Sequence, residues 1–290
     1  MELFTRKTFI INIGISLFIL LLIGSCFDEQ ISTILYHPQN SIGVLLASYG
    51  QLPAMLCCAS GGILMITIAD MKKKARAMEC WIGGVLLNLF AVIGITMDPM
   101  LYIEGMSVWL SLVIALLLVA ATDILILKLS KGADRKQIKY FIIIVVGTMF
   151  LEMILINLIK IPWGRPRMRM IAVQPEAAFQ PWWVIGSEMK DTLMTMGVAA
   201  EEFKSFPSGH SGNAACALLL SILPLICSRL KGKETMLMAS GILITLMVAG
   251  SRIVMGAHFL SDITVGMGIT FLVEAVLIHQ IDKHMQKQID

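Results

Sequence analysis

The chain has 290 residues, 57% of them hydrophobic and only 15% charged, with a mean hydropathy of +0.81 and a formal net charge of +3. That composition excludes a water-soluble globular domain, whose core needs far less apolar sequence, and gives no reason to expect a nucleic-acid partner. The remaining class is a chain solvated by lipid.

In chain order, apolar runs long enough to cross about 30 Å of hydrocarbon lie near residues 8–27, 48–69, 80–97, 107–128, 140–160, 209–228, 236–255 and 259–281. Bare backbone polar groups cannot face lipid, so runs of this length are expected to be helices, and a barrel would show short alternating segments instead. The expected fold is all-α: a polytopic membrane helical bundle of about eight transmembrane helices.

Lys and Arg alternate between the connections. Arg6 and Lys7 precede the first run, Lys72 to Lys74 and Arg76 follow the second, Lys131, Arg135, Lys136 and Lys139 follow the fourth, Arg229, Lys231 and Lys233 follow the sixth, and Lys283 and Lys287 follow the eighth. The segments Asp28 to Ser41 and Asp98 to Met106 carry none. Under the positive-inside rule both termini are expected in the cytoplasm and residues 161–207 outside it, in a cell membrane. Cys26, Cys57, Cys58, Cys80, Cys216 and Cys227 fall in or at the edge of apolar runs and read as packing residues rather than a disulfide framework. Ile23 to Cys26 faintly resembles a lipoprotein cleavage site, but the preceding apolar run is long for a signal peptide.

Residues 161–207 form the one long connection. Trp163, Trp182, Trp183, Phe179 and Phe203 argue for a partly embedded cap, or for an ordinary interfacial aromatic belt. Lys160, Arg165, Arg167 and Arg169 crowd at its start, on the face where basic residues should be scarce. An inverted topology would explain that cluster only by misplacing the other basic clusters. An anion site explains it directly, because guanidinium forks match phosphate oxygens and a lysine adds a compact charge. At the far end, Pro207-Ser208-Gly209-His210 opens the next helix, with Ser208 as its cap and Gly209 allowing close approach of a ligand. Its free N–H groups would face an anion. Alone, such a tetrapeptide reads as a capped helix start.

The stretch from Ser251 to Asp262 adds Arg252, His258 and Asp262 on the same membrane face. Four residues apart on one helix, Asp262 is expected to bond one ring nitrogen of His258, while Gly256 offers a break that lets Arg252 and His258 converge. The plainer alternative is a satisfied interfacial polar pair. Glu152 and Asn157 are expected to bond across helices, and Asp123 and Glu274 to be structural.

These three ordered segments resemble the type 2 phosphatidic acid phosphatase family, which shares its site with vanadium haloperoxidases and glucose-6-phosphatase. Lys160 and Arg167 fit the first motif, with Met168 in place of its proline and Trp163-Gly164-Arg165-Pro166 similar to a common lead-in. Residues 207–210 fit the second and 251–262 the third. The resemblance covers residues 140–281, leaving residues 1–139 as additional helices without an assigned role and 282–290 as a cytoplasmic tail. It implies that His258 attacks phosphorus, Asp262 orients it, and His210 protonates the leaving oxygen and later activates water. Lys160, Arg167, Arg252, Ser208 and Gly209 would hold the phosphoryl group, with Arg165 as an additional ligand. No metal or cofactor is expected. The substrate expected is a membrane lipid phosphate or diphosphate, with a soluble ester, a phosphotransferase reaction and a transporter as alternatives; oligomeric state is not legible.

Overall fold

The computed structural model describes residues 2–287, and no strand occurs among them. Seven helical stretches are long and apolar enough to cross a membrane, making the protein a polytopic helical bundle. In chain order the helices are α1 (Lys7–Leu35), α2 (Ser41–Ser48) and α3 (Leu52–Thr67), which together make one crossing, then α4 (Lys74–Tyr102), α5 (Val108–Leu129) and α6 (Arg135–Trp163). There follow α7 (Gly209–Ala215), continued by a 3-10 helix over Cys216–Leu225, then α8 (Glu234–Val254) and α9 (Leu260–Gln286).

Among the eight expected spans, the one at 209–228 departs from an ordinary membrane helix. Gly209–Leu225 is a shorter apolar helix, and most of it is 3-10. A 3-10 helix rises about 2.0 Å per residue against about 1.5 Å for an α-helix, so this short segment still reaches about 30 Å. Two other boundaries differ in ways that matter. α1 runs on to Leu35, which puts Asp28 inside a helix and buries it. α4 passes through Pro99 and ends at Tyr102, so Asp98 is helical although a residue before proline usually leaves the α region. The expected tail 282–290 begins within α9, and its residues 288–290 lie outside the described residues.

Local chemistry sets several of these ends. Asp134 and Gln137 form a reciprocal capping box at the start of α6, and Gly164, with φ of 67°, closes its end in the left-handed conformation. The interior has two larger apolar clusters. One packs Phe141, Ile144, Leu219, Ile222, Phe271 and Ile278 between α6, the 3-10 segment and α9. The other joins α3, α4 and α5 through small residues, Ala54, Ala59, Ala91 and Ala115. A Cβ on Gly62 would lie 2.7 Å from the Gly84 carbonyl, so α3 and α4 touch backbone to backbone, as small residues permit between membrane helices. Large apolar side chains such as Phe18 on α1 and Leu117 on α5 point outward, the arrangement expected where lipid is the solvent.

Residues 161–207 are folded. Short helices at Met168–Ile171 and Glu188–Thr195 and a 3-10 turn at Ala200–Phe203 enclose a small core of Met170, Leu193 and Phe203. The indole N–H of Trp163 donates to the Trp182 carbonyl, and that of Trp182 to Ser25 Oγ on α1. These two tryptophans tie the segment to the bundle, whereas Trp183 is 54% exposed.

Candidate active site

Six helices bring polar side chains from one end of the bundle together. The C-terminal end of α8 supplies Arg252, whose carbonyl accepts the N–H groups of both Ala257 and His258. Gly256, with φ of 62°, makes this reversal, so His258 precedes α9 instead of lying on it. The expected convergence of Arg252 and His258 therefore arises from a turn at Gly256, while the expected helical stacking of His258 on Asp262 does not occur.

His258 is 1% exposed, and its Nδ1 lies 2.5 Å from the Ser205 carbonyl. A carbonyl only accepts, so Nδ1 carries the proton and Nε2 is left with the lone pair. Asp262 Oδ2 is 3.9 Å from the same Nδ1, too far for a hydrogen bond. It instead accepts from Ser205 Oγ at 2.5 Å and from the Phe259 N–H at 2.8 Å. Asp262 is thus linked to His258 only through Ser205, a residue the sequence reading did not single out. Burial first, and then the nearby charges of Lys160, Arg252, Arg167 and His210, hold the His258 imidazole well below its ordinary range, so it is neutral at neutral pH.

Arg165, expected as an additional phosphate ligand, is committed elsewhere. It is fully buried, stacked at 4.2 Å over the Phe259 ring, with donors to the Gln180 carbonyl, Ser261 Oγ, Asp262 Oδ1 and Asp28 Oδ2. Asp28 in turn accepts the Ser261 N–H. Arg169 is likewise occupied, bonding both carboxylate oxygens of Glu202. The crowding of basic residues at 160–169 therefore divides between holding the scaffold and facing the site.

Three cations, Arg252, Arg167 and Lys160, lie close enough for their charges to act on both imidazoles. Arg252 is 1% exposed and donates one Nη2 bond to the Tyr102 hydroxyl at 3.0 Å, leaving Nε and Nη1 buried without an acceptor. Arg167 pairs at 2.9 Å with Glu201, itself more than half exposed, while its Nε is buried without an acceptor. The bond from Lys204 and the charge of Arg167 outweigh burial and hold the Glu201 carboxyl below its ordinary range. The Lys160 ammonium sits 3.6 Å from where a Cβ on Gly209 would stand, beside the free end of α7. Ser208 caps that helix by accepting the Ser211 N–H, and its own N–H donates to the Asp262 carbonyl, which links the start of α7 to the start of α9.

His210 meets residues from the N-terminal helices. Its Nε2 is 3.4 Å from the Tyr102 hydroxyl and 3.8 Å from Asp98 Oδ2. Sequence reasoning missed Asp28, Asp98, Tyr102 and Ser205. The available signal for the two carboxylates was that each ends an apolar run, where an ionisable residue within a longer helix has a function by default. Among the described residues no group of three or more His, Cys, Asp or Glu is placed to hold a metal ion.

A family model described as the PAP2 superfamily matches residues 141–286. No curated protein and no solved structure matches the chain.

Proposed function

The chain belongs to the PAP2 superfamily, and from that premise we propose that it is an integral-membrane phosphatase that hydrolyses a lipid phosphate or diphosphate through a phosphohistidine on His258. The observation that carries this reading is the buried Arg252, with two nitrogens lacking an acceptor beside two imidazoles. A buried guanidinium in that state calls for an anion. In this reaction the neutral His258, its Nδ1–H held by the Ser205 carbonyl, attacks phosphorus through Nε2. Arg252, Arg167, Lys160 and the free N–H groups at Gly209 take up the charge that grows on the phosphoryl oxygens. His210 protonates the departing oxygen and then activates water against the phosphohistidine.

The lipid class is supported by an apolar cavity of about 510 Å³, whose lining includes Leu45, Tyr49, Leu56, Leu125, Leu219 and Val248. One end of it lies near the site, since Val248 in its lining and the His210 ring both fall about 3 Å from where a Cβ on Gly50 would stand. A hydrocarbon chain in this cavity would leave its headgroup beside His210. The alternation of Lys and Arg supports a site facing away from the cytoplasm.

The test is phosphate release by the detergent-purified protein from a panel of lipid phosphates in EDTA, with His258→Ala alongside. Release that survives EDTA and vanishes in the variant is expected, together with an acid-labile, alkali-stable phosphoenzyme in rapid-quench experiments. Release that requires added divalent metal, or persists in His258→Ala, would overturn the proposal. Turnover only with an added alcohol acceptor would make the protein a phosphotransferase.

A further inference from the structure

The helices before residue 141 lie outside the segment matched by the family, yet α4 reaches the site with two side chains one turn apart. Asp98 Oδ2 stands 3.8 Å from His210 Nε2, and the Tyr102 hydroxyl stands 3.4 Å from the same atom. Both groups are held in place. Gln51 Nε2 donates to Asp98 Oδ1 at 2.8 Å, and Gln51 Oε1 accepts from Asn213 on the helix that carries His210. Tyr102 accepts from Arg252, and its ring stacks edge-on to His210 at 5.7 Å and under the Arg252 guanidinium at 5.0 Å. No hydrogen bond among the described residues uses His210 Nδ1.

Resting on the phosphatase reading above, we propose that Asp98, assisted by Tyr102, is the positioning residue for the general acid His210, a carboxylate set against the imidazole by a helix outside the family's matched segment. At 3.8 Å Asp98 is too far to accept from Nε2 and acts on the ring by charge, while the Nε2–H points at the Tyr102 oxygen, so the proton that moves is the one on Nδ1. In the first step His258 Nε2 forms the bond to phosphorus, the bond from phosphorus to the leaving oxygen breaks, and that oxygen takes the Nδ1 proton of His210. His210 is left neutral with its Nε2–H still directed at Tyr102. In the second step water attacks phosphorus, gives a proton to His210 Nδ1, and the bond from phosphorus to His258 breaks. The pair is needed because Arg252 on α8, Lys160 on α6, and Arg167 and Arg169 beyond it all bring positive charge to bear on His210. Asp98 is the one carboxylate within ion-pair distance of His210 among the described residues, and in its ionised form it opposes them.

The experiment compares wild type with Asp98→Asn, Tyr102→Phe and His210→Ala on a lipid phosphate and on p-nitrophenyl phosphate, whose leaving group departs without a proton. Asp98→Asn is expected to lower kcat on the lipid about ten- to hundredfold with little change in KM, and to move the alkaline limb of the pH profile to lower pH. The defect should shrink on the activated ester, as it should for His210→Ala. An equal loss on both substrates with an unmoved alkaline limb, or no loss at all, would overturn the proposal. Should the wild type release no phosphate from either substrate, the phosphatase reading fails and the pair is judged separately by NMR titration of imidazole-labelled protein, which has five histidines. A His210 midpoint that falls on Asp98→Asn supports the pair, and an unchanged midpoint refutes it.

Discussion

Arg165 holds apart two carboxylates, Asp28 and Asp262, that would otherwise face each other inside the bundle, and its side chain is wholly buried between aromatic rings. Replacing it with alanine removes the shared partner of two buried anions, a change that costs about 3–5 kcal/mol. Thermal unfolding in detergent should show this loss, and adding Asp28→Asn to Arg165→Ala should recover part of it, because one of the stranded charges is gone. A stable Arg165→Ala protein with a raised KM would instead place the guanidinium on the substrate. The His258 imidazole gives a pH prediction of definite sign. Its pKa is depressed by burial and by Lys160, Arg252 and Arg167, so the protonated, non-nucleophilic form accumulates only as pH falls below the ordinary imidazole value of about 6.5. The acid limb of kcat/KM should therefore lie below that pH, and Lys160→Met, which removes one depressing charge, should move it upward while lowering kcat.

At the scale of elements, the turn between α8 and α9 sets the distance between the Arg252 guanidinium and the His258 imidazole. Gly256 adopts a positive φ there, and an added Cβ would fall 2.5 Å from Tyr36 Cε2 and 3.0 Å from the Arg169 nitrogen. Gly256→Ala is expected to cost about 1–3 kcal/mol in stability. It should also lower kcat about tenfold or more, since small displacements of reacting groups are expensive in rate. Adding Tyr36→Ala should restore stability more than rate, because the contact is relieved but the strained backbone is not. This turn was legible in the sequence as a break between Arg252 and His258. What it does to Asp262 was not, because four-residue spacing brings side chains together only within one helix, and His258 lies before α9 starts. The long apolar runs located the membrane helices well, since hydrocarbon thickness dictates their length. They marked Gly209–Leu225 too, though not the 3-10 geometry that covers a similar distance with fewer residues, and they stopped short at Asp28 and Asp98, where a carboxylate ending an apolar run looks like a loop until its partner is known.

For the whole molecule, the family match and the structure place different weights on the N-terminal helices. The matched segment, residues 141–286, contains the imidazoles and the site cations, but three of the groups set against them come from outside it: Asp28 on α1 for Arg165, Tyr102 on α4 for Arg252, and Asp98 on α4 beside His210. No sequence pattern reveals such pairings, because each spans more than a hundred residues and is fixed only when α1 packs on α9 and α4 packs on α2 and α3. A chain beginning at Asp134 would therefore keep all three motifs and still leave Arg165 and Arg252 short of their buried partners, a state that membrane helices tolerate poorly. Such a fragment expressed alone is expected to be unstable in detergent and to lack phosphatase activity. Co-expression of residues 1–133 with 134–290, cut within the exposed turn before α6, should restore both, because the crossings remain whole and only one covalent link is lost. Restoration that fails when the first fragment carries Asp98→Asn and Tyr102→Phe, while the two fragments still co-purify, would show that the N-terminal helices contribute chemistry as well as packing. An active fragment 134–290 would show the reverse, that the matched segment assembles its site alone.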